Sequence, residues 1–155
     1  MKKLLFVLVF MSSPVLADEP VHQYGDWLVT QSDQLNTALT SSTNHDSRFI
    51  VLQCGVDHKN CVLAFTDPYG CNEGAVNEVA LTVDKHYFGI STTCTGNGWK
   101  ADASQLYNGE VFGALKEAKS SLTANFGYGI ISNYSINGLS TALNIIDGQQ
   151  SNFSF

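Results

Sequence analysis

Charged side chains are scarce in this chain. Asp, Glu, Lys and Arg make up 14% of its 155 residues, and Lys plus Arg number 8 against 14 acids. So small a basic complement, at a formal net charge of −6, repels phosphate backbones and argues against nucleic acid as a partner. Long apolar runs are missing too. The one uninterrupted stretch, Leu4 to Met11, falls far short of the roughly 18 to 20 residues that span a bilayer. Signatures of chemistry are equally absent. No serine stands in a G-x-S-x-G elbow, no glycine motif cradles phosphate, and no D-x-D-x-D-G run marks a calcium loop. None of the cysteines form the close C-x-x-C pairs typical of zinc sites. Nothing in the chain calls for a metal or cofactor.

What is present begins with an export signal. Lys2 and Lys3 precede the apolar run; Ser12, Ser13 and the helix breaker Pro14 follow, and Val15-Leu16-Ala17 offers small residues for cleavage. Residues 1–17 are therefore read as a secretory signal peptide. A lipoprotein would need a cysteine after the cut, and Asp18-Glu19-Pro20 has none. The expected product is a soluble periplasmic or secreted bacterial protein with no membrane span after cleavage. Losing Lys2 and Lys3 takes its formal charge from −6 to −8. An acidic surface of this kind suits a basic partner, although acidity also simply maintains solubility.

All four cysteines, Cys54, Cys61, Cys71 and Cys94, lie in the exported part, and an even count in an oxidising compartment reads as a disulfide framework. Of the three pairings, the spacing favours Cys54–Cys61 with Cys71–Cys94. Cys54 and Cys61 flank a turn from Gly55 to Asn60, so two strands meeting there would set their sulfurs opposite each other.

Alternation places a first strand over Tyr24 to Thr30, with Trp27 and Val29 on one face. Gln31 to Ser47 is polar and turn-rich and reads as a mobile loop. Arg48 to Cys54 and Cys61 to Thr66 are the next strands, the latter stopped by Asp67-Pro68-Tyr69-Gly70. Val79 to Val83 and Tyr87 to Cys94 form a hairpin about Asp84-Lys85-His86, and Gly96-Asn97-Gly98 is another turn. Val111, Phe112, Leu115 and Ala118 then share a helical face, which predicts an amphipathic helix capped by Asn108, with Lys116 and Lys119 near its negative end. Leu122 to Phe126 and Tyr128 to Ile136 return to strand, with Gly127 and Gly129 suggesting a bulge. Leu139, Ala142, Leu143 and Ile146 predict a short C-terminal helix. The expectation is a mainly β, single-domain, disulfide-braced β-sandwich over residues 18–147, with one amphipathic helix, the short C-terminal helix and a polar tail at 148–155.

Catalytic readings compete poorly with plainer ones. His22, His45, His58 and His86 fall at predicted termini and turns, where polar side chains collect. A cysteine nucleophile would leave an odd number of thiols to pair. Paired carboxylates could serve glycoside cleavage, but Asp26, Asp84 and Asp102 adjoin turns or strand ends, where aspartate is common for hydrogen-bonding reasons. Trp27, alternating with valine, reads as core. Trp99, beside a glycine turn, is a candidate partner-binding residue, as are Asp57 and His58 in the turn between Cys54 and Cys61.

The order of these pieces resembles the invasion-associated locus B (IalB-like) family of exported bacterial proteins. Tyr24-Gly25-Asp26-Trp27-Leu28-Val29 is similar to its opening strand, Cys61-Val62-Leu63 to a later cysteine strand, and Val79 to Asp84 to its central strand. Thr93-Cys94 followed by Trp99-Lys100-Ala101, and Leu106 to Lys119 about Ala114-Leu115-Lys116, continue the match. Tyr134-Ser135-Ile136-Asn137-Gly138-Leu139-Ser140-Thr141-Ala142-Leu143 resembles the family's terminal stretch. Trp99 stands where the family usually has a cysteine, and Gln31 stands near another expected one. Family pairing therefore does not transfer, and Cys54 and Cys71 would supply replacement partners.

The resemblance implies a periplasmic or secreted, mainly β protein, linked in some relatives with host-cell entry and without an established catalytic set. The favoured function is a non-enzymatic envelope or secreted binding protein with a protein partner. The alternatives are a periplasmic inhibitor or immunity protein that blocks a hydrolase, and a small exported hydrolase with its site on the 31–47 loop and turn residues, to be tested at His45, Asp46 and His58.

Overall fold

Tyr24 to Thr30, expected as one strand, is divided by a tight turn. Gly25 takes φ +56°, and the chain reverses through Gly25-Asp26 so that Tyr24 pairs with Trp27. The result is a hairpin of β1 (Val21–Tyr24) and β2 (Trp27–Gln31). A computed structural model describes residues 20–44, 46–57, 61–101 and 110–148.

The segment 31–47 is not a mobile loop. Its middle is β3 (Leu35–Ser41), paired along its length with β4 (Phe49–Gly55). Its inward residues are Asn36, Ala38 and Thr40, all buried. Small and polar side chains on the core face hide the alternation that normally marks a strand. Thr40 is accommodated because its hydroxyl donates to the carbonyl of Asp26 over 2.6 Å.

β5 (Val62–Thr66) follows as expected, and Asp67 to Gly70 closes a turn through the Gly70 N–H to the Asp67 carbonyl. β6 (Val76–Val83) and β7 (His86–Cys94) form the anticipated hairpin. A further strand, β8 (Gly98–Ala101), emerges from the glycine turn and pairs with both β5 and β7. Helix α1 (Glu110–Glu117) buries Val111 and Leu115. The expected cap, Asn108, lies outside the described residues. β9 (Leu122–Asn125) and β10 (Ile131–Tyr134) follow, shorter than expected. Between them Gly127, Tyr128 and Gly129 form no bulge. All three have positive φ and make a turn closed from Ile130 N–H to the Gly127 carbonyl. Helix α2 (Leu139–Ile146) buries Leu139, Ala142, Leu143 and Ile146, the four residues picked out by their spacing.

The ten strands make one antiparallel sheet in the order β1-β2-β3-β4-β5-β8-β7-β6-β9-β10. A bridge between Ser42 and Tyr134 brings β10 back to the end of β3, so the sheet folds over on itself in a sandwich-like arrangement. Phe65 of β5 meets Phe126 edge-on at 5.2 Å and Tyr134 at 6.3 Å across the shared core. Each large apolar side chain buried there contributes about 1.5–3 kcal/mol. Trp27, Phe65, Ile50, Leu52, Leu63 and Leu81 are among those fully enclosed. Helix α2 packs on β1 to β4 and against α1, where the Lys116 ammonium pairs with the Asp147 carboxylate.

Both favoured disulfides are present, Cys54–Cys61 and Cys71–Cys94. Gln53 pairs with Val62, which sets Cys54 and Cys61 directly opposite across the β4–β5 ladder, with Cα atoms 4.0 Å apart. Two such bridges point to maturation in an oxidising environment. No helix among the described residues is long and apolar enough to cross a membrane.

Candidate binding cleft

The chain has a single arginine, Arg48, and it is 4% exposed. A guanidinium so buried requires partners, and it has two carboxylates. Ser42 to Arg48 form the tight connection between β3 and β4, with Ser47 at φ +60° and the Ser42 N–H donating to the Arg48 carbonyl over 2.7 Å. Within this connection Asp46 accepts the Ser42 hydroxyl, the Arg48 N–H at 3.0 Å and, from β10, the Ser132 hydroxyl. The Arg48 guanidinium lies 3.6 Å from Asp46 and 3.3 Å from Asp67, and rests 5.3 Å from the centre of the Phe126 ring. Burial alone would push the Asp46 carboxyl up. The hydrogen bonds from Ser132, Ser42 and Arg48, with the Arg48 charge, outweigh it and hold that group below the usual aspartate range.

Asp67, at the end of β5, carries the network outward. It accepts the Tyr69 N–H at 3.1 Å and the Trp99 indole N–H at 3.2 Å. Trp99 is half-buried, packed on the core by one face and fixed by Asp67 at its edge. Its position depends on Gly98. A Cβ there would lie 2.4 Å from the Phe65 carbonyl oxygen, so only glycine lets β8 approach β5 so closely.

Above this floor lies a cleft of about 310 Å³, with Arg48, Asp67 and Asn77 at its base and Trp99 and Phe126 as walls. Val76, Tyr128 and Ile130 form its rim and are exposed, Tyr128 completely. The Cys71–Cys94 bridge braces one side. Cys94 N–H donates to the Ala75 carbonyl at 2.8 Å and Cys71 N–H to that of Gly96 at 3.1 Å, which ties the 67–75 segment to the glycine turn before Trp99.

Of the residues singled out for partner binding, Trp99 belongs to the cleft. Asp57 lies in the turn after β4, exposed and apart from the cleft lining, and His58 is outside the described residues. The hydrolase trio is not brought into view as a unit. His45 and His58 are outside the described residues, and Asp46 is occupied in joining the β3–β4 connection to β10. His22 and His86 are exposed on β1 and β7.

Other aspartates make structural ties. Asp26 accepts the Ser135 hydroxyl at 2.6 Å. Asp84 accepts the N–H groups of Ser121, Lys119 and Ser120 and the Ser120 hydroxyl, which lower its pKa strongly. Asp102 lies outside the described residues. Among the described residues no group of three or more His, Cys, Asp or Glu is placed to hold a metal ion.

Sequence reasoning missed Arg48, Asp67, Val76, Phe126 and Tyr128 as neighbours. Two signals were available. One was the solitary arginine opening a strand that becomes core; the other was an aromatic residue set between two glycines at 127 and 129. Comparison with protein-family models, with curated proteins and with solved structures gives no match.

Proposed function

We propose that this chain is an exported, non-enzymatic binding protein of the bacterial periplasm or surroundings, of the kind its resemblance to the invasion-associated locus B family implies. It holds a protein partner at the cleft above Arg48. The observation that carries this reading is Tyr128. Its side chain is fully exposed, and its backbone sits at φ +52° between Gly127 at +87° and Gly129 at +79°. A left-handed conformation costs a tyrosine about 1–2 kcal/mol, and holding such a ring in water gains the free chain nothing. Beside it Val76 and Ile130 extend the apolar rim, and Trp99 offers a fixed aromatic wall. Aromatic anchors around a pre-formed hollow are the usual energetic centre of a protein interface. The non-enzymatic part rests on Asp26, Asp46 and Asp84, whose carboxylates are taken up in ties between elements. The two disulfides and the leader support export.

A second reading, an inhibitor that blocks a periplasmic hydrolase, is favoured by the same tyrosine, which is presented as a knob that could enter another protein's pocket. A photo-reactive residue at Tyr128 tests the binding role in the living cell. A single stoichiometric adduct is expected from position 128, and none from Tyr87, an exposed tyrosine on β7. If that adduct contains a hydrolase whose activity returns on release, the inhibitor reading holds. Adducts of equal yield at both positions sink the cleft as the binding surface. N-terminal sequencing of the recovered protein should begin at Asp18; an intact leader with free thiols in the cytosol would sink export.

A further inference from the structure

We infer that the cleft receives the cationic side chain of a lysine or arginine from an extended basic segment of the partner, an inference that rests on the cleft being the binding surface. Three features choose this chemistry. First, one guanidinium, Arg48, faces two carboxylates, Asp67 in the cleft lining and Asp46 behind it, so the cluster beneath the cleft carries a net negative charge. An incoming anion would meet the repulsion of both carboxylates around the one guanidinium, and a purely apolar group would strip water from Asp67 with no return. The Asp67 oxygen that takes the Trp99 N–H has a second lone pair to offer a new donor.

Second, Arg48 Nε is buried and has no acceptor among the described residues, although its side chain lines the cleft. A main-chain carbonyl of an extended ligand supplies that acceptor, which a free cation or amine does not. Third, the walls suit a long side chain ending in positive charge. Phe126 already faces Arg48, while Trp99 and Tyr128 supply aromatic faces for the methylenes and the charged head. The acidity of the chain as a whole favours encounter with a basic partner.

The test uses fluorescein-labelled nonamers of alternating lysine and serine, with glutamate and norleucine replacing lysine in the controls. Anisotropy is read at low ionic strength on the disulfide-bonded mature protein. The lysine peptide should bind and the other two should not. Tyr128→Asn and Asp67→Asn should each weaken binding about tenfold, as expected on losing an aromatic or charged contact to a desolvated cation. Glu117→Gln, at an exposed position of α1 outside the cleft, should leave it unchanged. Tyr128→Asn carries the test if Asp67→Asn fails to fold, because Tyr128 is fully exposed and asparagine tolerates positive φ. Equal weakening by Glu117→Gln would mean diffuse attraction to an acidic surface and overturn the inference. No lysine-peptide binding, with a partner still captured at position 128, overturns the cation and leaves the binding role. Failure of both removes both.

Discussion

The indole N–H of Trp27 donates to the carbonyl of Ser135 over 2.9 Å, joining residues 108 apart in sequence. The contact is the centre of a joint. The Ser135 hydroxyl donates to Asp26, and the Asp26 N–H to the Asn137 carbonyl at 3.0 Å. Gly25 and Gly138 lie back to back within it. Tyr24 to Val29 and Tyr134 to Leu143, two of the stretches from which the family resemblance is read, are therefore one structural unit. It fixes how α2 seats on the first hairpin. Those motifs answer to the fold, and the cleft residues lie elsewhere.

The tightness of that joint gives the first prediction. A Cβ on Gly138 would lie 1.9 Å from the Tyr24 carbonyl oxygen, at a φ of +87°. Gly138→Ala should cost about 3 kcal/mol and lower Tm by roughly 10 °C. Gly74 has a similar φ of +82° with nothing within 4 Å, so Gly74→Ala should cost only the backbone strain, about 1 kcal/mol. Thermal unfolding followed by circular dichroism compares them. Equal losses would mean that backbone conformation, and not close approach, governs position 138.

The disulfides should differ in what they protect. Loop closure predicts about 2.5 kcal/mol for Cys54–Cys61, with a separation of 7, and about 3.5 kcal/mol for Cys71–Cys94, with a separation of 23. Paired Cys→Ala variants and chemical denaturation measure both. Only loss of Cys71–Cys94 should also change the Trp99 emission, because that bridge braces the cleft wall. A change of the same size on removing Cys54–Cys61 would contradict the bracing.

Asp46 gives a pH dependence with a definite sign. Its folded pKa is lowered from the ordinary 3.8, so its contribution to stability is complete above that value. The contribution drains away as pH falls through the lower folded value. Unfolding free energy should thus decline below about pH 3.8, as the unfolded chain takes up a proton that the native carboxylate refuses. Asp46→Asn should be less stable at pH 7 and show a flatter decline in acid. Asp84 shifts in the same direction, so Asp84→Asn is the comparison that separates their shares. An unchanged acid profile in both variants would remove these aspartates as its cause.

How much of this was legible beforehand depends on side-chain size. Trp27, Ile50, Leu52, Val79 and Leu81 alternate as large apolar residues, and their strands were readable from that alone. β3 was not, because Asn36, Ala38 and Thr40 fill its inward face. β8 was hidden differently, since Gly98 replaces a side chain with the backbone of Phe65. Cys54–Cys61 was legible because a short hairpin sets those two cysteines face to face, and Cys71–Cys94 followed as the remaining pair. The cleft was not, because Arg48, Asp67 and Trp99 meet through the neighbouring strands β4, β5 and β8, and only the folding-over of the sheet brings Phe126 and Tyr128 to them. Local pattern carries no record of that closure.

The same closure makes Arg48 the decisive residue for the last prediction. Replacing it with methionine leaves Asp46 and Asp67 near one another without a buried cation, and removing one member of such a cluster costs about 3–5 kcal/mol. Asp67→Asn alone should cost less, since Asp46 still neutralises the guanidinium. In the double variant Arg48→Met with Asp67→Asn, one stranded charge is gone. Its loss should therefore be smaller than the two single losses combined by about 1–2 kcal/mol. Urea unfolding of the four proteins closes the cycle. Strict additivity would mean that water reaches Asp67 freely after Arg48 is removed. The base of the cleft would then be solvent, and the argument that a cation must fill it would lose its footing.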